Sequence, residues 1–383
     1  MQFLPMSEPT AADDPGSCRA TGKMDRRGFL KRIAGTSALS LVAGCGAFGG
    51  SDGPDMPPAN TVGRATLLAP ISGPQAALGQ IMRETASLGG NPVGPGAEVE
   101  VRDSGTTDES AVQAAMAAVE SGAKMILGPL FSSQCRAVAA AVGRNIPVIA
   151  LSNDASIAGG NLFVFGVTPL QSAKTMFGFA ASRGLRRIAV VVPSGAFGER
   201  AIQASQTVSA GFGMTLLNPV VQDSAAGLVD RLRADGGGTL PDAVYLPSVS
   251  GPFTAQAAAL RGAGVQILGS DQWSAIEPYR NADLIGAWFA APDPIRFEAF
   301  AIALEERIET EAGIVAGLAY DAVEMARLLG RMAQQDRDGL LREAGFDGVL
   351  GPYRFLPDGQ CERGLAVLSV AQGATTMIGS TSV

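Results

Sequence analysis

Short apolar runs alternate with longer amphipathic segments along most of the chain. The runs at 65–69, 99–103, 125–127 and 148–150 predict β-strands. The segments between them, at 76–88, 109–122 and 134–143, carry apolar residues at helical spacing and end at or beside a glycine. A repeated order of strand, helix and strand favours a parallel sheet that is covered by helices.

A second series of the same kind begins near residue 168. Strands are predicted at 188–192, 215–219, 243–246 and 266–268, and helices at 170–182, 198–211, 226–234 and 252–262. Two long helices are predicted at 295–311 and 314–334, followed by a hairpin of strands 353–356 and 365–370 around Pro357-Asp358-Gly359. Two series of similar size indicate an α/β protein with two doubly wound, parallel-sheet lobes.

The first 62 residues have a different pattern. Basic residues at 26, 27, 31 and 32 precede an apolar run at 33–44, which is typical of a signal peptide and too short to span a bilayer stably. RRGFLK at 26–31 resembles a twin-arginine export signal, and LVAGC at 41–45 resembles the lipobox of bacterial lipoproteins. We expect a disordered extension at 1–23, a signal peptide at 24–45, acylation of Cys45 and a flexible tether at 46–62.

Composition and charge narrow the function. The net charge is −7, so the chain is a poor partner for nucleic acid, which needs clustered Lys and Arg. The chain has no histidine, which removes the commonest general base and most zinc sites. The G-x-S-x-G match at 49–53 lies in the tether with no strand before it, and we interpret it as chance. The sequence predicts no enzyme, no metal site and no cofactor.

Four cysteines without CxxC spacing disfavour a metal cluster or a thioredoxin-like site. Cys135 and Cys361 could pair in an oxidising compartment, but two buried free thiols are the simpler interpretation.

Polar loops follow several predicted strands directly, where sheets of this type bind ligands. These loops are GPLFSS at 128–133, LSNDAS at 151–156, PSGAFGER at 193–200 and GSDQW at 269–273. We expect a serine of the first loop to cap the next helix, Asp271 to meet an ammonium group, and Trp273 to form an apolar wall. Each loop alone is typical of ordinary turns, whereas four at the expected strand ends favour a ligand cleft.

Several motifs together resemble the type I periplasmic solute-binding proteins, in particular the leucine/isoleucine/valine-binding branch. They are LLAPISG at 67–73, ILGPLFSS at 126–133, PVIA at 147–150, AYDAV at 319–323 and GPYRF at 351–355. The resemblance extends from about residue 63 to 379. It implies two lobes joined by a three-strand hinge, one lobe formed by 63–166 and 292–352 and the other by 167–291 and 353–383.

The resemblance also implies a ligand site. In the amino-acid binders of the family, the loops matching Ser132-Ser133 and 150–152 receive the ligand carboxylate and amine, and an aromatic-glycine pair and an acidic residue close from the other lobe. Phe197 stands where the family often has tyrosine, so that hydroxyl is missing. The candidate ligand-binding residues are Ser72, Ser132, Ser133, Ala150, Ser152, Asn153, Phe197, Asp271 and Trp273.

Two functions fit these observations. The first is a periplasmic lipoprotein that captures a small amino-acid-like solute and delivers it to the permease of an ABC transporter. The second is suggested by the GPLF turn and the SND loop, which also resemble the lipoprotein activators of penicillin-binding proteins. Such activators regulate peptidoglycan synthesis by protein contact. Both functions place the chain in the cell envelope, held on a membrane by its lipid.

Overall fold

The computed structural model describes residues 64–88, 98–308 and 310–383. The predicted extension at 1–23, the signal peptide, Cys45 and the tether lie outside these residues. None of the helices in the described ranges combines the length and apolarity needed to cross a bilayer.

The first sheet has five parallel strands in the spatial order β2-β1-β3-β4-β5. Its strands are β1 (Arg64–Ala69), β2 (Val99–Asp103), β3 (Ala123–Leu127), β4 (Val148–Ala150) and β5 (Leu162–Val164). The strand β2 lies on one side of β1, whereas β3, β4 and β5 follow on the other side, so the strand order reverses between β1 and β3. In doubly wound sheets this reversal opens a crevice at the carboxyl ends of the strands, where ligands bind.

Successive side chains of a strand point to opposite faces of the sheet. Both faces of the first sheet carry buried apolar side chains, and helices cover both. Leu67 of β1 faces a core shared with α1 (Ala76–Leu88) and α9 (Ile314–Arg331), whereas Leu68 faces α2 (Asp108–Glu120) and α3 (Ser132–Ala141). A capping box between Thr107 and Ser110 starts α2. The layered arrangement confirms the predicted fold class for this half.

The second sheet has eight strands in the order β15-β14-β11-β10-β9-β6-β7, with β8 also paired to β6. They are β6 (Arg187–Val192), β7 (Thr215–Leu216), β8 (Val220–Val221), β9 (Ala243–Leu246), β10 (Gln266–Gly269), β11 (Trp288–Ala291), β14 (Ala366–Ala371) and β15 (Ala374–Ser380). The strands β6 to β11 are parallel, and β14 and β15 add an antiparallel edge.

Two pairs of helices enclose the second sheet. On one face lie α4 (Pro169–Ser182) and α5 (Ala196–Ser209), and on the other α6 (Leu228–Asp235) and α7 (Phe253–Gly262). The chain passes between the two sheets three times, after β5, after β11 and after β13 (Cys361–Arg363). After the second passage, α8 (Pro294–Glu305), α9 and α10 (Arg337–Leu340) return to the first half of the molecule.

The C-terminal hairpin differs from the prediction. The strand β12 (Tyr353–Phe355) pairs with β13, whereas β14, predicted as its partner, pairs with β11 and β15. Tyr353 and Phe355 pack into the core of the first sheet, although the sequence analysis assigned residues from 353 onward to the second lobe. Their aromatic rings contact Phe165 at centroid distances of 4.7 and 5.6 Å, which holds the hairpin there.

Cys135 and Cys361 are buried and free. Burial raises the pKa of Cys135 to about 12 and that of Cys361 to about 11, so both stay protonated at neutral pH. Their structural role is packing.

Candidate ligand-binding cleft

The loop after β1 is held by a carboxylate from the neighbouring strand. Asp103, at the end of β2, accepts hydrogen bonds from the backbone N–H groups of Ile71 (2.9 Å) and Ser72 (3.2 Å). Burial raises the pKa of Asp103, but hydrogen bonds from Ser72, Gly105 and Ile71 outweigh that effect and lower the pKa below its ordinary value. Ser72 is exposed, and its bonds to Asp103 fix the turn.

The loops after β3 and β4 meet through two serines. The hydroxyls of Ser132 and Ser152 lie 2.8 Å apart, and the N–H of Leu151 donates to the carbonyl of Pro129 at 3.1 Å. Ser132 is half-buried and Ser152 is buried. The crevice that the strand order predicts therefore contains a paired hydroxyl site.

The helix α3 begins without the serine cap that was predicted. Its N-cap is Phe131, whose side chain cannot accept a hydrogen bond, and Ser132 is already the first helical residue. Ser133 follows on the exposed side. Phe131 therefore gives the N–H groups in the first turn of α3 no capping side chain.

The loop that follows Ser152 carries an acid. The N–H of Asp154 donates to Ser152 Oγ at 3.2 Å, and Asp154 Oδ1 accepts from the N–H (3.1 Å) and hydroxyl (2.6 Å) of Ser156. Asn153, between them, is half-buried. These bonds hold the Asp154 carboxylate in one position beside the serine pair.

Ala150 does not present a free group to the cleft. Its side chain is fully buried, and its carbonyl already accepts the N–H of Phe165 at 2.8 Å. The Ala150 carbonyl, which the resemblance implies as a ligand contact, is thus engaged within the sheet.

Asp271 is enclosed in the second half of the molecule and has only 4% of its surface exposed. Its Oδ1 accepts from the Ser172 hydroxyl at 2.6 Å, and its Oδ2 accepts from the Gln272 amide at 3.1 Å. Burial raises its pKa to about 6. The carboxylate expected to meet a ligand ammonium is thus turned toward α4.

Trp273 was predicted as an apolar wall of the cleft, and the structure places it in a core instead. The ring is completely buried, is stacked on Phe289 at a centroid distance of 5.7 Å, and donates from Nε1 to the carbonyl of Leu246 at 3.0 Å. Gly269 leaves room for it, since a Cβ there would lie 2.3 Å from the ring. Trp273 therefore fills the core between the second sheet and its helices and does not line the cleft.

The second half contributes Phe197 and a residue that the sequence analysis did not single out. Phe197 and Arg200 both lie in the first turn of α5, three positions apart and therefore on one face. Phe197 is half-buried. Arg200 Nε is buried and has no hydrogen-bond partner within residues 64–88, 98–308 and 310–383. The amino-acid sequence carried one signal for Arg200: it is a basic residue near the start of a helix, and that helix follows a polar loop at the end of a strand.

Arg200 acts on the acid of the first half. Burial raises the pKa of Asp154, but hydrogen bonds from Ser156, the positive charge of Arg200 and the Ser132 hydroxyl together lower it below the ordinary value. The positive charge of an arginine that follows β6 thus contributes to the environment of an aspartate that follows β4. Hydrogen bonds bring together Ser132, Ser152 and Asp154, and we use the name cleft group for these three residues and Arg200, whose charge acts on Asp154. Asp271 and Trp273 have other partners and are not part of this group.

Two α/β sheets, between which the chain crosses three times and which carry polar loops at their strand ends, are the architecture of a two-lobed binding protein. The chain belongs to the family described as periplasmic binding protein, whose model matches residues 64–375. This membership confirms the resemblance and the predicted fold class. The family binds rather than catalyses, and it works outside the cytoplasm.

Solved structures show the same fold at low sequence identity. A protein assigned to a branched-chain amino acid ABC transporter of Rhodospirillum rubrum has a TM-score of 0.71 and 22% identity over 82% of this chain and 99% of its own. A solute-binding protein of an ABC transporter from R. palustris, in complex with benzoate, has a TM-score of 0.57 and 16% identity over 83% and 95%. The C-domain of LpoA from Haemophilus influenzae, a regulator of PBP1A, has a TM-score of 0.67 and 18% identity over 82% and 100%. No curated protein sequence matches the chain.

Proposed function

We propose that the protein is the solute receptor of an ABC transporter and holds a small, amino-acid-like molecule between its two lobes. The observation that carries this proposal is the cleft group itself. The hydroxyls of Ser132 and Ser152 lie 2.8 Å apart at the strand ends of the first half, and the N–H of Asp154 donates to Ser152. The positive charge of Arg200, in the second half, helps to lower the pKa of Asp154. Hydroxyl, carboxylate and guanidinium groups at strand ends suit a small polar ligand.

Calorimetry and thermal unfolding with the twenty amino acids and benzoate test this function. Receptors of this kind close over their ligand. A ligand with a Kd of about 1 μM, added at about 100 times that concentration, stabilises the folded state by about 2.7 kcal/mol. We expect at least one amino acid to raise the melting temperature and to give a saturable heat. A protein that responds to none of these compounds would contradict the proposal.

We further propose that the receptor is a lipoprotein, exported by the twin-arginine route and held in the envelope through Cys45. The support is the order of motifs, with RRGFLK at 26–31, LVAGC at 41–45 and a Gly/Pro/Ser-rich segment behind them. Several acyl chains, each methylene contributing about 0.8 kcal/mol, would anchor it firmly. The permease would then find its receptor already at the membrane.

A second candidate function is regulation of a penicillin-binding protein by contact. The observation that favours it is that the cleft serines hydrogen-bond to each other and Asp271 bonds to Ser172, so these groups are satisfied without a solute. Crosslinking in membranes, followed by detection with a fluorescent penicillin, tests this alternative. A crosslinked band that carries the penicillin label supports it, whereas crosslinks to permease subunits alone contradict it.

A further inference from the structure

The helix α8 leaves apolar side chains uncovered on its outer side. Ile295 is 75% exposed and Ile302 is 42% exposed. They are two helical turns apart, and the exposed Ala299 lies between them, so all three share one side of the helix. Ala303, also exposed, extends this surface. We call Ile295, Ala299, Ile302 and Ala303 the α8 face.

The opposite side of α8 supplies its contacts with the rest of the protein. Phe300 and Leu304 are buried there in a small core with Ala316 of α9, and Ile81 of α1 packs against it. The α8 face therefore takes no part in that core. A helix that is apolar on both sides normally has neighbours on both, and a contiguous exposed apolar surface is typical of an interaction site.

The charges around the α8 face are mainly negative. Glu298 and Glu305 lie along one side of it and Glu306 at its C-terminal end, all exposed. Within the part of the chain that the structure describes, none of the three forms an ion pair. On the other side, Arg296 is already paired with two aspartates, which leaves Arg307 as the nearby cation. The surroundings of this apolar surface thus favour a positively charged partner.

We propose that the α8 face is a docking site for a cationic amphipathic helix of another protein. Its apolar side chains would cover Ile295 and Ile302, and its lysines or arginines would meet Glu298 and Glu305. The two isoleucines are separated by about 10 Å along the helix axis, the span of two helical turns in a partner. Apolar contact supplies affinity, and the opposite charges supply orientation and a faster encounter.

Two other occupants fit the charges less well. A second copy of the chain, docked through the same surface by a two-fold axis, would bring Glu298, Glu305 and Glu306 close to their own counterparts. A bilayer with anionic lipids would repel the same carboxylates. A cationic segment of a second protein gains from both the apolar and the acidic side chains.

A model peptide tests the site. The probe is a fluorescein-labelled helical peptide of leucine and lysine with its leucines on one side, and the control peptide has the same composition with the leucines spread around the helix. Fluorescence anisotropy is measured with wild type, Ile295→Ser/Ile302→Ser and Glu298→Gln/Glu305→Gln. The matched control is Val221→Ser, which changes an exposed apolar residue of the second sheet. Melting temperatures verify that each protein is folded.

We expect wild type and Val221→Ser to bind the amphipathic peptide at least about 10-fold more tightly than the control peptide. The double serine variant should weaken this binding about 10-fold or more, because it removes the apolar contact. The double glutamine variant should weaken it about 3-fold to 10-fold and reduce its dependence on salt concentration, because the charges are gone.

Equal affinity of wild type and the double serine variant would overturn the inference, and so would the absence of peptide binding. Vesicles that contain phosphatidylglycerol and sedimentation velocity examine the other occupants. Vesicle binding, or a dimer, that disappears in the double serine variant would assign the α8 face to a membrane or to a second copy and would likewise overturn the inference. The receptor function is tested separately, since solute binding does not involve this face.

Discussion

Arg363 and Asp321 form a buried ion pair, and Arg363 ends the strand β13, after which the chain crosses to the second sheet. Arg363, 4% exposed, is held between the rings of Phe165 and Tyr353 at 4.5 and 5.0 Å from the ring centroids, and its Nη1 lies 3.5 Å from Asp321 Oδ2. Asp321 on α9 also accepts the N–H groups of Val349 and Leu350 at 2.7 and 3.3 Å. The pair therefore ties α9 to the residues where the chain leaves the first sheet.

Removal of one partner of this pair should be costly. We expect Arg363→Met to reduce the free energy of unfolding by about 3–5 kcal/mol, because it leaves the Asp321 carboxylate buried and unpaired. Urea unfolding at neutral pH measures the loss. The control is Lys174→Met, which breaks the exposed Lys174–Glu362 pair at 2.9 Å and should change stability by less than about 1 kcal/mol. Equal losses in the two variants would refute the role given to Arg363.

The stability of the protein should depend on the ionisation of Asp271. Burial raises its pKa to about 6 in the folded state, against 3.8 for an unperturbed aspartate. The folded state keeps this proton over a range in which the unfolded chain has lost it. The stabilisation is therefore complete below about pH 4 and is lost as pH rises through about 6, by up to about 3 kcal/mol.

Asp271→Asn tests this dependence. Urea unfolding of wild type at pH 4.5, 5.5 and 7 should show stability that falls with rising pH, and the variant should show a shallower fall. Asp321, whose pKa burial also raises to about 6, keeps part of the slope in the variant. Asp103 and Asp242 have lowered pKa values, so their contributions are lost only at more acidic pH. Identical slopes in the two proteins would mean that Asp271 is ionised in the native state throughout.

The backbone of α5 approaches the preceding loop closely, and this contact positions the helix. A Cβ at Gly198 would lie 2.1 Å from the carbonyl oxygen of Pro193, a backbone atom that cannot easily move. The glycine between Phe197 and Arg200 thus allows the first turn of α5 to pack directly on the end of β6.

We expect Gly198→Ala to displace this turn. The variant should lose about 1–3 kcal/mol of stability through overpacking and about 10-fold or more in ligand affinity, because Arg200 moves with the helix. The matched control is Gly211→Ala, just past the same helix, where a Cβ meets no atom within 4 Å. Unfolding curves and calorimetry compare the two variants. Unchanged affinity in Gly198→Ala would show that the position of this turn does not matter for binding.

Most regular elements were predictable from local pattern, and the exceptions have more than one cause. Helical spacing over ten or more residues located α1, α5 and α9 to within a few residues. The strands β5 and β11 were not predicted, because short 3-10 helices and not amphipathic α-helices precede them, so the alternation of strand and helix did not mark them. The hairpin was mispaired because the pairing of β14 with β11 joins residues that are distant in the chain.

The proposed lipid anchor would place the protein on a membrane of the cell envelope. We expect Cys45→Ser to abolish labelling by a radioactive fatty acid and to move the protein from the membrane to the soluble fraction of the envelope. The purified variant should bind its ligand with unchanged affinity, since 64–375 is the part that matches the binding-protein family. Membrane retention of the variant would contradict the proposed lipid anchor.

The alternation of strands and helices, the two-lobed α/β plan and the position of polar loops at strand ends could all be predicted from the amino-acid pattern. These properties depend on neighbours a few residues apart, and hydrophobic periodicity records them. Which loop side chains lie together depends on how the elements pack in three dimensions. Asp271 and Trp273 lie inside the second half of the molecule. There the Trp273 ring is buried, and Asp271 accepts a hydrogen bond from Ser172. The charge of Arg200 acts on Asp154 although the two residues follow strands of different sheets, and no local pattern encodes an effect between elements that lie far apart in the chain.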